Sequence, residues 1–269
     1  MATRTKTATE MTVQPTNEDT SDTSVADTAI KKPARRKSAN AKAPKDRYID
    51  LRTDFGFKHI FGDKEFLLYF LNAVLKIEGG IVDLHYDNTE RPGLFKGDRT
   101  TIFDLYCKTK AGESILIEMQ NARQDYFRDR TLYYASRLIQ EQGEDKTGKK
   151  WDYRLSPVYS VNIVDFWLAD GGNAGGKYVS YVQLCNVKTR KVFHDRLTFV
   201  FLELPGFTKE LPELKGVVEQ WMYVLKNLSK LKELPEALRT RVFERLFLKA
   251  EIARLSKQER KDYNHSLGY

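Results

Sequence analysis

The sequence predicts an α/β fold, with helices flanking a mixed central β-sheet and further helices closing the C-terminal part. Three observations carry this. Between residues 64 and 76, Phe66, Leu67, Phe70, Leu71, Val74 and Leu75 recur at helical spacing. Two β-rich runs, Thr101–Thr109 and Glu113–Gln120, flank Lys110-Ala111-Gly112, a loop whose last residue suits a type I turn with a left-handed bulge. After a second helical stretch, Val158–Leu168, Tyr178–Val187 and Leu197–Leu204 read as strands rich in Val, Tyr and Phe, and from Lys209 the spacing is helical again. A helix, a hairpin, a helix, strands and then helices give a layered structure around one mixed sheet.

Residues 1–46 hold hardly any large apolar side chain and are expected to form a disordered tail. Its basic stretch, Lys31-Lys32-Pro33-Ala34-Arg35-Arg36-Lys37, reads equally as a solubilising tail or as a phosphate-contacting arm. The acids Glu10, Glu18, Asp19 and Asp22 argue against an organelle transit peptide. Asp54-Phe55-Gly56-Phe57-Lys58 then leads into the first apolar helical run, followed by a short strand at Ile81–Tyr86 and a polar loop through Glu90, Pro92 and Gly93. Asp125–Gln142 alternates aromatic and charged positions at helical spacing and ends before Gly143. Leu214, Val217, Val218, Trp221, Met222, Leu225 and Leu228 mark one helix face, and Pro235 opens a final helix carrying Val242, Leu246, Ala250, Ala253 and Leu255. The expected organisation is a tail at 1–46, a core at 47–208 and a helical extension at 209–269.

A chain of 269 residues can bury a substantial core, and its net charge of +8 with a pI near 9.2 fits a polyanion-binding protein. Cys107 and Cys185 lie in apolar alternating runs, which argues against a disulfide framework or a zinc site, and the four histidines show no metal-ligand spacing. No apolar run approaches the roughly 20 residues that span a membrane, and no hydrophobic signal region opens the chain. These features predict a soluble protein of a reducing compartment.

The hairpin carries the chemistry. A loop centred on Ala111 places Asp104 directly opposite Glu118, with Cβ atoms roughly 5 Å apart on one face, and strand alternation adds Gln120. Phe103, Leu105, Cys107, Ile115, Ile117 and Met119 fall on the other face and read as core. Like charges paired across a sheet are destabilising and need compensation. A divalent cation is one solution, since two carboxylates suit Mg²⁺ or Mn²⁺. An exposed hairpin tip quieted by Lys108 or a nearby Arg is the other. A two-residue turn would shift the register by one and send the two acids to opposite faces.

The order of these elements resembles the PD-(D/E)XK nuclease superfamily, and within it the bacterial recombination-promoting nuclease/transposase family. The matching pieces are Asp54-Phe55-Gly56-Phe57-Lys58 with Phe61-Gly62, Asn88-Thr89-Glu90, Asp98-Arg99, Phe103-Asp104-Leu105-Tyr106 and Ile117-Glu118-Met119-Gln120. Arg130-Thr131-Leu132-Tyr133-Tyr134, Gln140-Glu141-Gln142, Trp151-Asp152-Tyr153 and Val164-Asp165-Phe166 continue the series, so the resemblance spans about 48–265. It implies a restriction-endonuclease-like core and a metal-dependent DNA endonuclease connected with recombination or transposition. It also implies a bacterial, cytoplasmic, nucleoid-associated protein, and two copies wherever both strands are cut. The alternative is a catalytically degenerate relative that only binds DNA or another protein.

The resemblance carries the metal ligands onto Asp104 and Glu118, holding Mg²⁺ with Mn²⁺ as a substitute, and the third motif position onto Gln120. That position is most often Lys in the superfamily; Gln can orient a water but brings no charge. Asp54 is either a further acid of the site or the N-cap of the helix that follows. Lys58 faces the phosphate or is a solvated helix residue. Arg130 and Tyr134 share a helix face with Arg137 one turn on, where they would contact DNA phosphates. Arg130 could instead pair with Asp125 or with Glu118.

Overall fold

The structure is a computed structural model describing residues 46–92, 100–144, 151–168 and 177–268. The basic arm at 31–37 and the Asp98-Arg99 motif lie outside the described residues. Two short helices open the fold, α1 (Asp54–Phe61) and α2 (Lys64–Val74). Strands β1 (Leu84–Tyr86), β2 (Glu90–Arg91), β3 (Thr101–Ile102), β4 (Leu105–Thr109) and β5 (Ser114–Gln120) follow, with helix α3 (Phe127–Gly143) after them. Strands β6 (Val158–Val164), β7 (Val179–Cys185) and β8 (Val192–Glu203) precede helices α4 (Val217–Asn227), α5 (Arg241–Ala250) and α6 (Lys257–Ser266).

Six strands form one sheet in the order β1-β4-β5-β6-β8-β7, while β2 and β3 make a separate two-residue ribbon. The β1/β4, β4/β5 and β7/β8 pairs are antiparallel, whereas β5/β6 and β6/β8 are parallel, so the sheet is mixed as expected. A parallel pair needs a crossover, and α3 supplies the one between β5 and β6. Its buried residues Phe127, Thr131, Ala135 and Leu138 form one stripe, pressed against Tyr106, Leu116, Val158 and Val164 of the sheet. The opposite sheet face, through Cys107, Ile115, Ile117, Val161, Ile163 and Val200, packs on α1, α2, α4 and α5. Trp221 of α4 is fully buried there against Phe61, Phe70 and Phe243. The C-terminal helices thus share one core with α1 and α2.

Two departures from the sequence pattern have local causes. Pro235 does not open one long helix: Thr240 caps α5, whose chain breaks at Glu251 to bridge Tyr48. There Ile252 donates its N–H to the Arg47 carbonyl at 3.0 Å. Likewise, Phe103 leaves the face of Leu105 and Cys107. A bend at Asp104 turns its ring into the cluster under α3, 5.8 Å from Tyr106.

The β4–β5 turn forms as predicted. Gly112 has φ +90° and donates to the Thr109 carbonyl at 3.0 Å, while Thr109 donates to the Glu113 carbonyl at 3.0 Å. No β-carbon is tolerated cheaply at that backbone angle, although the space around it is open. Gly112→Ala is expected to cost about 1–2 kcal/mol through the left-handed backbone alone. Calorimetry should show this as a fall in Tm of about 4 °C, with the hairpin register unchanged.

Candidate active site

The pairs Leu105↔Ile117, Tyr106↔Leu116, Cys107↔Ile115 and Lys108↔Ser114 fix the hairpin register. Asp104 sits at the bend just before β4, one step beyond the last of these pairs and level with Glu118. The two acids grip each other's strand. The Asp104 N–H donates to Glu118 Oε1 at 3.2 Å, and the Met119 N–H donates to Asp104 Oδ2 at 2.8 Å. Each carboxylate thereby has one oxygen fixed by backbone, which sets its direction without neutralising it.

Burial sets the electrostatics. Glu118 is only 4% exposed, and its carboxyl is pushed up to about 8, first by loss of solvent and then by the neighbouring Asp104 charge. Burial also raises Asp104, with the Asp54 charge adding to it. The Met119 N–H, Lys58 and Arg130 pull the other way. Among the described residues, no cation lies within ion-pair reach of Asp104, and Glu118 has only Arg130, at 3.6 Å. Lys108, the other candidate for quieting the pair, is held by Asp87 at 3.0 Å.

Arg130 comes from the first turns of α3 and joins strand, loop and helix. Its guanidinium donates to Gln120 Oε1 at 2.9 Å and to the Gln124 side chain, and its Nε is buried without a partner. It does not pair with Asp125. The Gln120 amide is engaged at both ends, since its Nε2 donates to the Ala122 carbonyl at 3.0 Å. Tyr134 packs beside this group, 5.4 Å from the Arg130 guanidinium and edge-on to Phe103 at 5.5 Å. Arg137 is drawn away, donating to the Pro92 carbonyl at 2.8 Å.

Asp54 and Lys58 form an i,i+4 ion pair at 2.5 Å on α1, both largely exposed, close enough for their charges to act on Asp104. Asp54 is not the N-cap. Thr53 is, its hydroxyl accepting from the Gly56 N–H at 3.0 Å. Glu90 lies exposed on β2. One participant carries no sequence signal, Gln124, which holds Arg130; Asp165, from the Val164-Asp165-Phe166 piece, donates its N–H to the Gln120 carbonyl at 3.0 Å. The Asp165 side chain binds Arg52 at 2.9 Å, and Arg52 also binds Asp50, which ties the end of β6 to the chain ahead of α1.

This donor set fits a hard divalent ion. Two carboxyls raised first by loss of solvent, with no cation on one and a single cation on the other among the described residues, leave negative charge uncompensated. Among the described residues no third His, Cys, Asp or Glu completes a closed cage. That matches an ion that keeps waters and substrate oxygens in its remaining positions.

A family model described as PD-(D/E)XK nuclease family transposase matches residues 51–269. No curated protein and no solved structure matches the chain. The mixed six-stranded sheet with flanking and C-terminal helices agrees with the fold of that family, and nucleases of this kind generally use divalent metals. No described helix is long and apolar enough to cross a membrane. With most of its length matched, the chain belongs to the PD-(D/E)XK nuclease family transposases.

Proposed function

We propose that this protein is a metal-dependent DNA endonuclease that hydrolyses phosphodiester bonds, in the setting of DNA recombination or transposition. The observation that supports it is the Asp104–Glu118 pair, level across the hairpin, largely withdrawn from solvent and each with one oxygen held by backbone. Asp104 and Glu118 would hold Mg²⁺, with Mn²⁺ as a substitute. When bound, such an ion supplies a water of lowered pKa and offsets the charge developing on the scissile phosphate.

The remaining work falls to the chain's own groups. Gln120 brings no charge to the third motif position, but it fixes the guanidinium of Arg130 at 2.9 Å. Arg130 therefore supplies, from the helix, the positive charge that Gln120 lacks, and its planar fork suits phosphate oxygens. Tyr134 keeps that guanidinium in place from below, and Lys58 adds a second, exposed cation at the rim. A break in both strands takes two such centres and hence two copies of the chain. The rival reading, a DNA-binding relative without catalysis, is favoured by one observation: both ends of the Gln120 amide are engaged by protein groups, the Ala122 carbonyl and Arg130.

Cleavage of supercoiled plasmid by the full chain, with Mg²⁺ and with EDTA, decides between them. Wild type is expected to nick or linearise DNA only with the metal, Glu118→Ala to be inactive, and Arg130→Gln to lose roughly 10²-fold in rate. Equal cleavage by Glu118→Ala would remove the hydrolytic reading. DNA binding without metal-dependent cleavage in wild type would establish the rival.

A further inference from the structure

The β7–β8 hairpin outruns the sheet it belongs to. Strand β6 joins β8 only from Leu197 onward, so Val192–Arg196 and the turn before them continue as a two-stranded ribbon. Leu184, Val187, Val192 and Phe193 are all exposed on it, Phe193 to 79%. An isolated ribbon with apolar side chains in water is marginal without a partner.

The turn at its tip is well ordered. Asn186 Oδ1 accepts from the N–H groups of Lys188 at 3.0 Å and Thr189 at 2.9 Å, and the Asn186 N–H donates to the Lys191 carbonyl at 2.9 Å. Its left-handed position, φ 56°, is filled by Arg190, where glycine would cost least. Lys188, Arg190 and Lys191 are exposed and, among the described residues, unpaired, and the one acid on the ribbon, Asp195, is held by Arg196 at 3.6 Å.

We propose that this ribbon is a second nucleic-acid contact, its three cations on backbone phosphates and Phe193 against the sugar–base edge. The inference rests on the DNA reading given above. The cations select a polyanion; two copies joined through the same tip would set like charges against each other. Position supports a shared duplex. Glu118 is level with Asn162 and Asn162 with Phe201, while Val192 lies at the other end of β8. At ~3.3 Å per residue that strand sets Val192 roughly 30 Å from the level of Glu118, and the three cations lie in the turn beyond Val192. One helical turn of duplex DNA is about 34–36 Å.

The test is fluorescence anisotropy of the full chain without metal, across a salt series, on duplexes of about 24 and about 8 base pairs, the shorter too short to reach. Three phosphate contacts at about 0.9 each predict that Lys188→Gln/Arg190→Gly/Lys191→Gln lowers the salt slope by about 2.7 on the long duplex and leaves the short one unchanged. Arg190→Gly alone should lower it by about 0.9 with no loss of Tm, because glycine relieves the turn. If wild type binds neither duplex, the DNA reading fails and the ribbon inference with it. If wild type binds and the triple variant keeps its slope, the ribbon inference is overturned while the DNA reading stands. An equal deficit on both duplexes overturns the placement one turn away. A triple variant that loses only binding to anionic vesicles, or only self-association in sedimentation, overturns the inference in favour of a lipid surface or a second copy.

Discussion

Asp104→Asn is expected to abolish plasmid cleavage, by about 10³-fold or more, and at the same time to stabilise the metal-free protein. The two effects share one cause. Loss of solvent raises both carboxyls, and the Asp104 charge raises Glu118 further, so at neutral pH the fold carries an electrostatic penalty. Asparagine keeps an oxygen for the Met119 N–H, now at 2.8 Å from the carboxylate, but removes the charge. Glu118 then loses its like-charged neighbour and retains Arg130 at 3.6 Å. Relief of a few kcal/mol corresponds to a rise in Tm of roughly 5 °C for a chain of this size. Metal should no longer add to that stability, because one carboxylate is left to hold it. A thermal-shift series with and without Mg²⁺, run beside the cleavage assay, reads all three effects. Lower Tm together with lost activity would mean that Asp104 is a structural ligand of the hairpin, and the metal-site reading would fall.

The hairpin was legible because its determinants are local. Gly112 permits one turn geometry, the turn fixes the register, and the register brings Asp104 level with Glu118. Phe103 defeated the alternation rule for a non-local reason: exchange of side-chain and backbone hydrogen bonds between Asp104 and Glu118-Met119 bends the chain there, and the bend reverses the face. Thr53 was available to a closer reading, since its hydroxyl stands three residues before the Gly56 N–H that it caps. The first residues of β8 were hidden because Val192–Arg196 mixes apolar with charged positions, a pattern that a two-stranded ribbon tolerates and a buried strand does not. Arg130 was found by its helix spacing, but its tie to Gln120 was not. That bond depends on where the loop through Ala122 and Gln124 sets the helix against the sheet. The break after Ala250 has no Gly or Pro to announce it and follows from pairing with Tyr48, some two hundred positions earlier in the chain.

Without metal, stability is expected to fall as pH rises, and Glu118 is the cause. In the unfolded chain its carboxyl loses its proton near the ordinary 4.5, whereas in the fold it keeps the proton until about 8. Between those values the unfolded state binds fewer protons than the native state, so rising pH favours unfolding; outside the window this group adds no slope. His59 works in the opposite sense. Burial lowers it from the ordinary 6.5, so it takes up a proton more readily when unfolded and costs stability as pH falls below that value. The fall due to Glu118 is therefore to be read between about 6.5 and 8, where His59 is already neutral in both states. A divalent ion demands deprotonated ligands, so its stabilising effect should be small at pH 6 and grow until Glu118 has ionised. Calorimetry from pH 5 to 9, with Mg²⁺ and with EDTA, should show the two Tm curves diverging upward through this range. Glu118→Gln should flatten the metal-free curve and abolish the divergence. A wild-type profile that is flat above pH 6.5, or one that Glu118→Gln leaves unchanged, would show that the Glu118 carboxyl is not held protonated by the fold. The fold would then already compensate that charge, and no penalty on its ionisation would be left for a metal to relieve.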